Sequence, residues 1–242
     1  MMKRALILLA FAYCLISCQN QEIEFPDFDY TTGYFPYQYP VRVIVLGNYI
    51  YDNSNDNNHR FVVSTVMGGV YENKTDRIFN FVVDETLCDD AYFEDGSIIR
   101  PLPSNYYTLS NPGKIVIPAG KMNGGVEVQL SEAFFNDPQA IKRTYVLPIR
   151  ITSVANIDSL LQGFTTNPTP DRRIADDWKV APKDFTMFAV KFVNPYHGSY
   201  LMRGKAAVTE NGVNLGDSIY QSASGHIEQD EVLFWKPKEG PG

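Results

Sequence analysis

The sequence predicts an all-β protein: an immunoglobulin-like antiparallel β-sandwich followed by a short, truncated β piece at the C-terminus. Two observations predict it. Short runs of Val, Ile, Phe and Tyr recur through residues 35–193, with turn residues between them every 10 to 20 residues or so. Aromatics make up 13% of the chain and charged residues only 20%, a balance that suits half-buried strands.

The elements follow in order. Pro40–Gly47 starts the first long strand, and Arg60–Val66 the second, which closes on Gly68-Gly69. Glu72–Asp76 has turn chemistry and leads into the strand Arg77–Val83. Tyr106–Leu109 and Lys114–Ile117 flank Asn111-Pro112-Gly113, a strand–turn–strand signal. Val126–Leu130 alternates apolar and polar residues, as a half-buried strand should. Tyr145–Ile151 is next, and Pro148 inside it predicts an edge strand or a bulge. Ser153–Gly163 holds two helical turns on this reading, with Gly163 as the stop. Residues 165–184 form a loop, and Phe185–Val193 is the last strand of the sandwich. One shared core is expected to hold Val43, Val45, Phe61, Val63, Phe79, Phe81, Ile115, Ile117, Val126, Val128, Val146, Phe188 and Val190. Within each pair, residues two apart share a sheet face.

Asn194–Gly198 then breaks the chain. Strands are expected from Gly198, over Val213–Gln221 and over Glu231–Trp235. Three strands make a poor core of their own. Residues 194–242 therefore read as the start of a second, incomplete β domain whose apolar faces pair with missing strands.

Met1–Arg4 is basic, Ala5–Leu15 is apolar, and small Ser17 precedes Cys18. This is the pattern of a signal peptide over residues 1–17. The run is too short to span a bilayer, which takes about 20 residues. Leu15-Ile16-Ser17-Cys18 also resembles the lipobox of bacterial lipoproteins. The resemblance implies that Cys18 is the first mature residue and carries the lipid, with residues 18–34 as a tether. The net charge is −7 and grows more negative when Lys3 and Arg4 are removed. Such a surface argues against nucleic acid and against a basic membrane patch, leaving the lipid as the membrane contact. Of three cysteines, Cys14 is removed and Cys18 acylated, so only Cys88 is left. No disulfide framework is expected, and Cys88 reads as a buried structural thiol.

Several strings resemble one known family. They are Tyr51-Asp52-Asn53-Ser54-Asn55-Asp56-Asn57-Asn58-His59-Arg60-Phe61, Gly68–Arg77, Ile117–Lys121, Leu147-Pro148-Ile149 and Asn194–Gly198. Together they are similar to a Bacteroidota lipoprotein family with an N-terminal domain of unknown function, also found ahead of family-18 glycoside hydrolase modules. The likeness covers roughly residues 30 to 200, and the tail resembles the opening of the family's lipocalin-like C-terminal domain. The resemblance implies a cell-surface glycan-binding lipoprotein of a polysaccharide-utilisation system, placed at the outer membrane beside a transporter complex. Gln19–Glu24, acidic in part, partly matches the signal for surface exposure in such lipoproteins. The family has no fixed ligand motif, so it assigns no binding residue.

The chain's own chemistry is sparse. Asp52, Ser54, Asp56 and Asn58 have the spacing of a calcium loop, but Asn57 replaces the glycine and Val63 the twelfth-position glutamate, so an Asx-rich turn is the better reading. His59, His197 and His226 lack metal-ligand spacing. No nucleophile elbow, Cys-x-x-Cys pair or phosphate loop occurs. Hence no catalytic residue, metal or cofactor is expected. Trp178 and Trp235 are candidates for stacking on sugar faces; Trp178 would otherwise fasten the 165–184 loop to the sandwich. The reading is a non-catalytic glycan binder. The alternatives are a protein-interaction or adhesion module and the non-catalytic front end of a glycoside hydrolase.

Overall fold

The computed structural model describes residues 26–221, 226 and 229–235; the expected signal peptide and Cys18 lie outside these residues. The strands are β1 Thr32–Tyr34, β2 Val41–Val45, β3 Arg60–Gly68, β4 Arg77–Val83, β5 Arg100–Pro101, β6 Tyr107–Leu109, β7 Lys114–Ile117, β8 Asn123–Leu130, β9 Tyr145–Ala155, β10 Ser159–Leu160, β11 Phe185–Val193, β12 Gly198–Met202, β13 Gly204–Glu210, β14 Val213–Tyr220 and β15 Glu231–Trp235. One sheet has the order β10-β1-β3-β8-β6 and the other β2-β11-β9-β4-β7, with β5 beside β9. The long pairings are antiparallel except at one edge, where β2 runs parallel to β11.

The two sheets close on a shared core. Phe61, Val63, Val126 and Val128 come from one sheet; Phe79, Phe81, Ile115, Ile117, Leu147, Ile149 and Val190 come from the other. Each such side chain, once fully buried, contributes about 1.5–3 kcal/mol. Strand alternation puts these residues inside and their neighbours outside.

Most of the expected core is found there, with three corrections. In β2 it is Ile44 that is buried, while Val43 and Val45 are only half-buried. Arg42 lies on the same face as Ile44 and is held by its pair with Asp56, so Val43 and Val45 turn the other way. Val146 is buried, but on the outer face of its sheet, in a second cluster with Leu87, Cys88, Phe185, Met187 and Ala189. Phe188 is half-buried and packs against the main core. The second cluster exists because residues 84–99 fold back over the outer face of β9 and β11. Burial there, with Glu85 adding to it, pushes the Cys88 thiol up to about 12, as a structural thiol requires.

Three further expectations change. Thr32–Tyr34, at the end of the stretch read as tether, is already strand β1, and Thr31 is fixed by Asp158 through its N–H and Oγ1 at 2.8 and 2.7 Å. Residues 153–163 do not form a helix. β9 runs on to Ala155 across a bulge opposite Asn80/Phe81, Asn156 turns the chain at φ 62°, and β10 lies parallel to β1. Pairing to β4 and β1 outweighs a weak helix propensity. The strand–turn–strand at 106–117 is found as β6 and β7, which pair in different sheets, β6 with β8 and β7 with β4, so the Asn111–Gly113 turn crosses between the sheets. Pro148 sits in a central strand rather than at an edge. Its carbonyl accepts from Asp84 N–H at 3.0 Å, just where β4 ends, so its missing donor faces the point where the neighbouring ladder stops.

The Asp/Asn-rich string forms a single helical turn, Ser54–Asn57. Buried Asp56 accepts from Val45 N–H at 2.9 Å and pairs with Arg42, capping the β2 edge. Its oxygens are thereby committed to the fold, in accord with a turn.

Beyond Val193, β12 pairs with β15 and β13 with β14. Val213, Leu215, Ile219, Val232 and Phe234 are exposed, and no side chain of these strands joins either core cluster.

Candidate functional site

The outer layer shapes a groove. Its floor is the apolar outward face of the second sheet: Val146, Met187 and Ala189. One wall is the 84–99 segment, carrying Tyr92 and Phe93; another is the 165–184 loop, carrying Asp171, Arg173 and Ile174. Tyr39 and Pro40 complete the edge. The cleft encloses about 530 Å³. A second cleft of about 500 Å³ continues on the other side of Tyr39, lined by Tyr37, Arg172 and Phe185 among others, and shares Tyr39, Pro40 and Arg173 with the first. Volumes of this order suit a small ligand or a few sugar units.

Sequence explains why tyrosines stand here. Tyr37 and Tyr39 lie two apart between Pro36 and Pro40, in a bent stretch just before β2. Thr186 Oγ1 donates to Tyr37 O at 2.8 Å, and Met187 N–H to Gln38 O at 2.7 Å, which fixes this short stretch beside β11. The rings stay open: Tyr37 is 72% exposed, Tyr39 58% and Tyr92 61%. Tyr39 nevertheless is anchored, edge-on to Phe185 at 5.8 Å and donating its hydroxyl to Arg173 O at 3.1 Å. A ring that is both held and exposed is a ready stacking platform.

Arg173 stitches the walls together. It grips Asp171 at 2.6 and 2.9 Å and donates to Leu87 O at 3.2 Å and to Asp89 O, so the loop is tied to the 84–99 segment. The Arg173 guanidinium holds the Asp171 carboxyl below the usual carboxylate range. A depressed pKa contributes stability that is present above the unfolded value and lost as pH falls through the folded one. Hydrogen exchange over residues 165–184, corrected for intrinsic rates, should therefore speed up below about pH 4. Asp171→Asn should exchange fast already at pH 6. Equal rates for the two proteins at pH 6 would remove this role from the pair.

The two tryptophans separate. Trp178 is half-buried: its Nε1 donates to Asp171 O at 2.7 Å, Arg172 lies 5.9 Å over its ring, and Gly163 packs so close that a Cβ there would stand 2.8 Å from Cε3. It fastens the loop that carries Asp171 and Arg173, with Arg172 over its ring. Trp235 is 60% exposed on β15, in a different cleft of about 720 Å³ with Tyr196 and Tyr200, and touches nothing of the Tyr39 groove. Sequence reasoning missed Tyr37, Tyr39 and Tyr92. The signal that would have found the first two is the Pro36-Tyr37-Gln38-Tyr39-Pro40 string, two aromatics framed by prolines. Among the described residues no cluster of His, Cys, Asp and Glu is arranged to hold a metal ion.

A family model described as an N-terminal domain matches residues 28–158. A crystal structure of a Bacteroides ovatus protein of unknown function aligns with a TM-score of 0.79 at 42% identity, covering 88% of this chain and 67% of that one. More distant are a multidomain Bacteroides ovatus protein including DUF1735 and an auxiliary nutrient binding protein from Bacteroides thetaiotaomicron. The first aligns at 14% identity and TM-score 0.42, over 78% of this chain and 55% of the other. The second aligns at 13% identity and TM-score 0.39, over 74% and 55%. This chain thus spans about two thirds of the first relative and about half of the other two. No curated protein matches it. With a family match over more than half of its length and 42% identity to a relative across most of it, the chain belongs to the Bacteroidota family defined by this N-terminal domain of unknown function, the one its Asp/Asn-rich turn and Gly68-Gly69 strings resemble.

Proposed function

We propose that the protein is a non-catalytic, lipid-anchored glycan-binding protein of the outer membrane, facing the cell exterior and working beside a polysaccharide transporter. The observation that carries the glycan part is the trio of open tyrosines, Tyr37, Tyr39 and Tyr92, along a groove walled by hydrogen-bonding Asp171 and Arg173. Sugar rings present flat C–H faces to such platforms, while polar neighbours take hydroxyls. The Asp171 carboxylate is taken up by Arg173, whose hydrogen bonds hold it in the loop, which supports a binding rather than a hydrolytic role for it. Native affinity gels cast with a panel of plant and host polysaccharides test the reading. Retardation in at least one gel, abolished by Tyr39→Ala while the melting temperature is kept, is the expected result; free migration in every gel sinks it.

The anchor has its own test. Cys18→Ala should move the protein from the membrane fraction to the soluble one and abolish palmitate labelling, since acyl chains would be its apolar attachment. Wild-type protein that takes up no label would exclude lipidation at Cys18.

A further inference from the structure

We infer that the groove takes an internal stretch of an uncharged polysaccharide, laid across Tyr39 from one cleft to the other. This rests on the glycan reading and adds the ligand's charge and length. The charge argument comes from the arginines. Three of them line the two clefts, and each is already matched by a carboxylate. Arg173 holds Asp171 together with two backbone carbonyls. Arg172 meets the buried Asp184 at 2.8 and 2.9 Å. Arg143 faces Asp95 at 3.4 Å and covers the Phe93 ring at 4.8 Å. Asp90 and Glu94 line the first cleft in addition, with no arginine opposite them among the described residues. A uronic acid or sulfate placed here would meet surplus negative charge and would have to displace an existing partner to find a cation, while an uncharged sugar pays neither cost.

The length argument comes from Tyr39. It is the shared wall of two clefts of similar size, about 530 and 500 Å³. Tyr92 opens on the first and Tyr37 on the second, so rings stand on both sides of the ridge. A mono- or disaccharide would use one platform, whereas a longer chain uses all three. Each additional stacked ring raises affinity by roughly three- to tenfold.

The test uses the full chain on two sets of gels. One set holds uncharged polymers: mannan, xylan, and β- and α-glucans. The other holds polygalacturonate, hyaluronate and chondroitin sulfate. Retardation confined to uncharged gels, lost in Tyr39→Ala and weakened in the fully folded surface variant Tyr92→Ala, is expected. Calorimetry with di- and hexasaccharides of the retarding polymer should then give at least about tenfold tighter binding for the longer one. Retardation in acidic gels that Tyr39→Ala abolishes overturns the charge inference and leaves the glycan reading intact. Equal affinity for di- and hexasaccharide overturns the crossing of Tyr39. Retardation that neither substitution changes overturns the site, and free migration throughout overturns the glycan reading itself.

Discussion

Gly124→Ala is expected to destabilise the sandwich by about 3 kcal/mol, near the upper end of overpacking costs. Gly124 lies in β8, opposite Thr65 of β3. A Cβ there would stand 2.0 Å from Val116 O, 2.7 Å from Val116 C and 2.8 Å from Ile117 Cα. All three atoms are backbone of β7, which belongs to the other sheet. The chain leaves β7, turns through Pro118–Met122 and enters β8, so this is a corner where the sheets approach to backbone contact. No rotamer relieves the clash; one sheet must move. Gly204→Ala is the control, since a Cβ there meets nothing within 4 Å and its φ is not positive. Denaturant midpoints measure both. A Gly124→Ala midpoint equal to wild type would mean that the corner is looser than its geometry.

The sandwich was legible because its signal is local. β3, β4, β8 and β11 announce themselves as β-branched and aromatic runs with period 2, and the residues expected inside, such as Phe61, Val63, Phe79 and Val126, are inside. The errors share one physical origin. Ile44 replaced Val43 and Val45 because Arg42, two residues before it on the same face, is paired with Asp56, which a sequence pattern does not show. Val146 fell in a second core because β9 is covered on both faces at its start, and no periodicity reveals which distant segment covers a strand. The helix expected at 153–163 lost to ladder bonds with β4 and β1, partners far away in sequence. The groove was less legible still. Its platforms come from residues 37, 39 and 92, and its tie from residue 173; only folding brings these together. A tryptophan draws attention in a sequence, yet Trp178 is half-buried and hydrogen-bonded to the loop backbone, while Tyr37, Tyr39 and Tyr92 stand exposed along the groove.

That fastening depends on a second arginine, and Arg172→Met is expected to cost about 3 kcal/mol at neutral pH. Asp184 is 1% exposed, directly before β11, and both its oxygens accept from Arg172 Nη1 at 2.9 and 2.8 Å. Burial pushes the Asp184 carboxyl up even with Arg172 opposing it. Methionine keeps the packing of the arginine stem and removes the charge, leaving the buried carboxylate without its hydrogen-bonded cation and with only Arg150 acting on it at longer range. The cost then has a sign in pH. A carboxyl whose folded pKa is raised binds its proton more readily folded than unfolded, so stability rises as pH falls from the folded value towards about 4. The Arg172→Met deficit should therefore be largest near pH 8 and shrink towards pH 5. Adding Asp184→Asn should recover most of it at pH 8, because the charge is gone from the buried site. The same variant should lose glycan retardation before it unfolds, since Arg172 neighbours Asp171 and Arg173 on the loop that walls the groove. Thermal melts across pH 5 to 8 decide the matter: a deficit that grows as pH falls, or one that Asp184→Asn leaves untouched, would show that Arg172 acts through something other than the buried carboxylate.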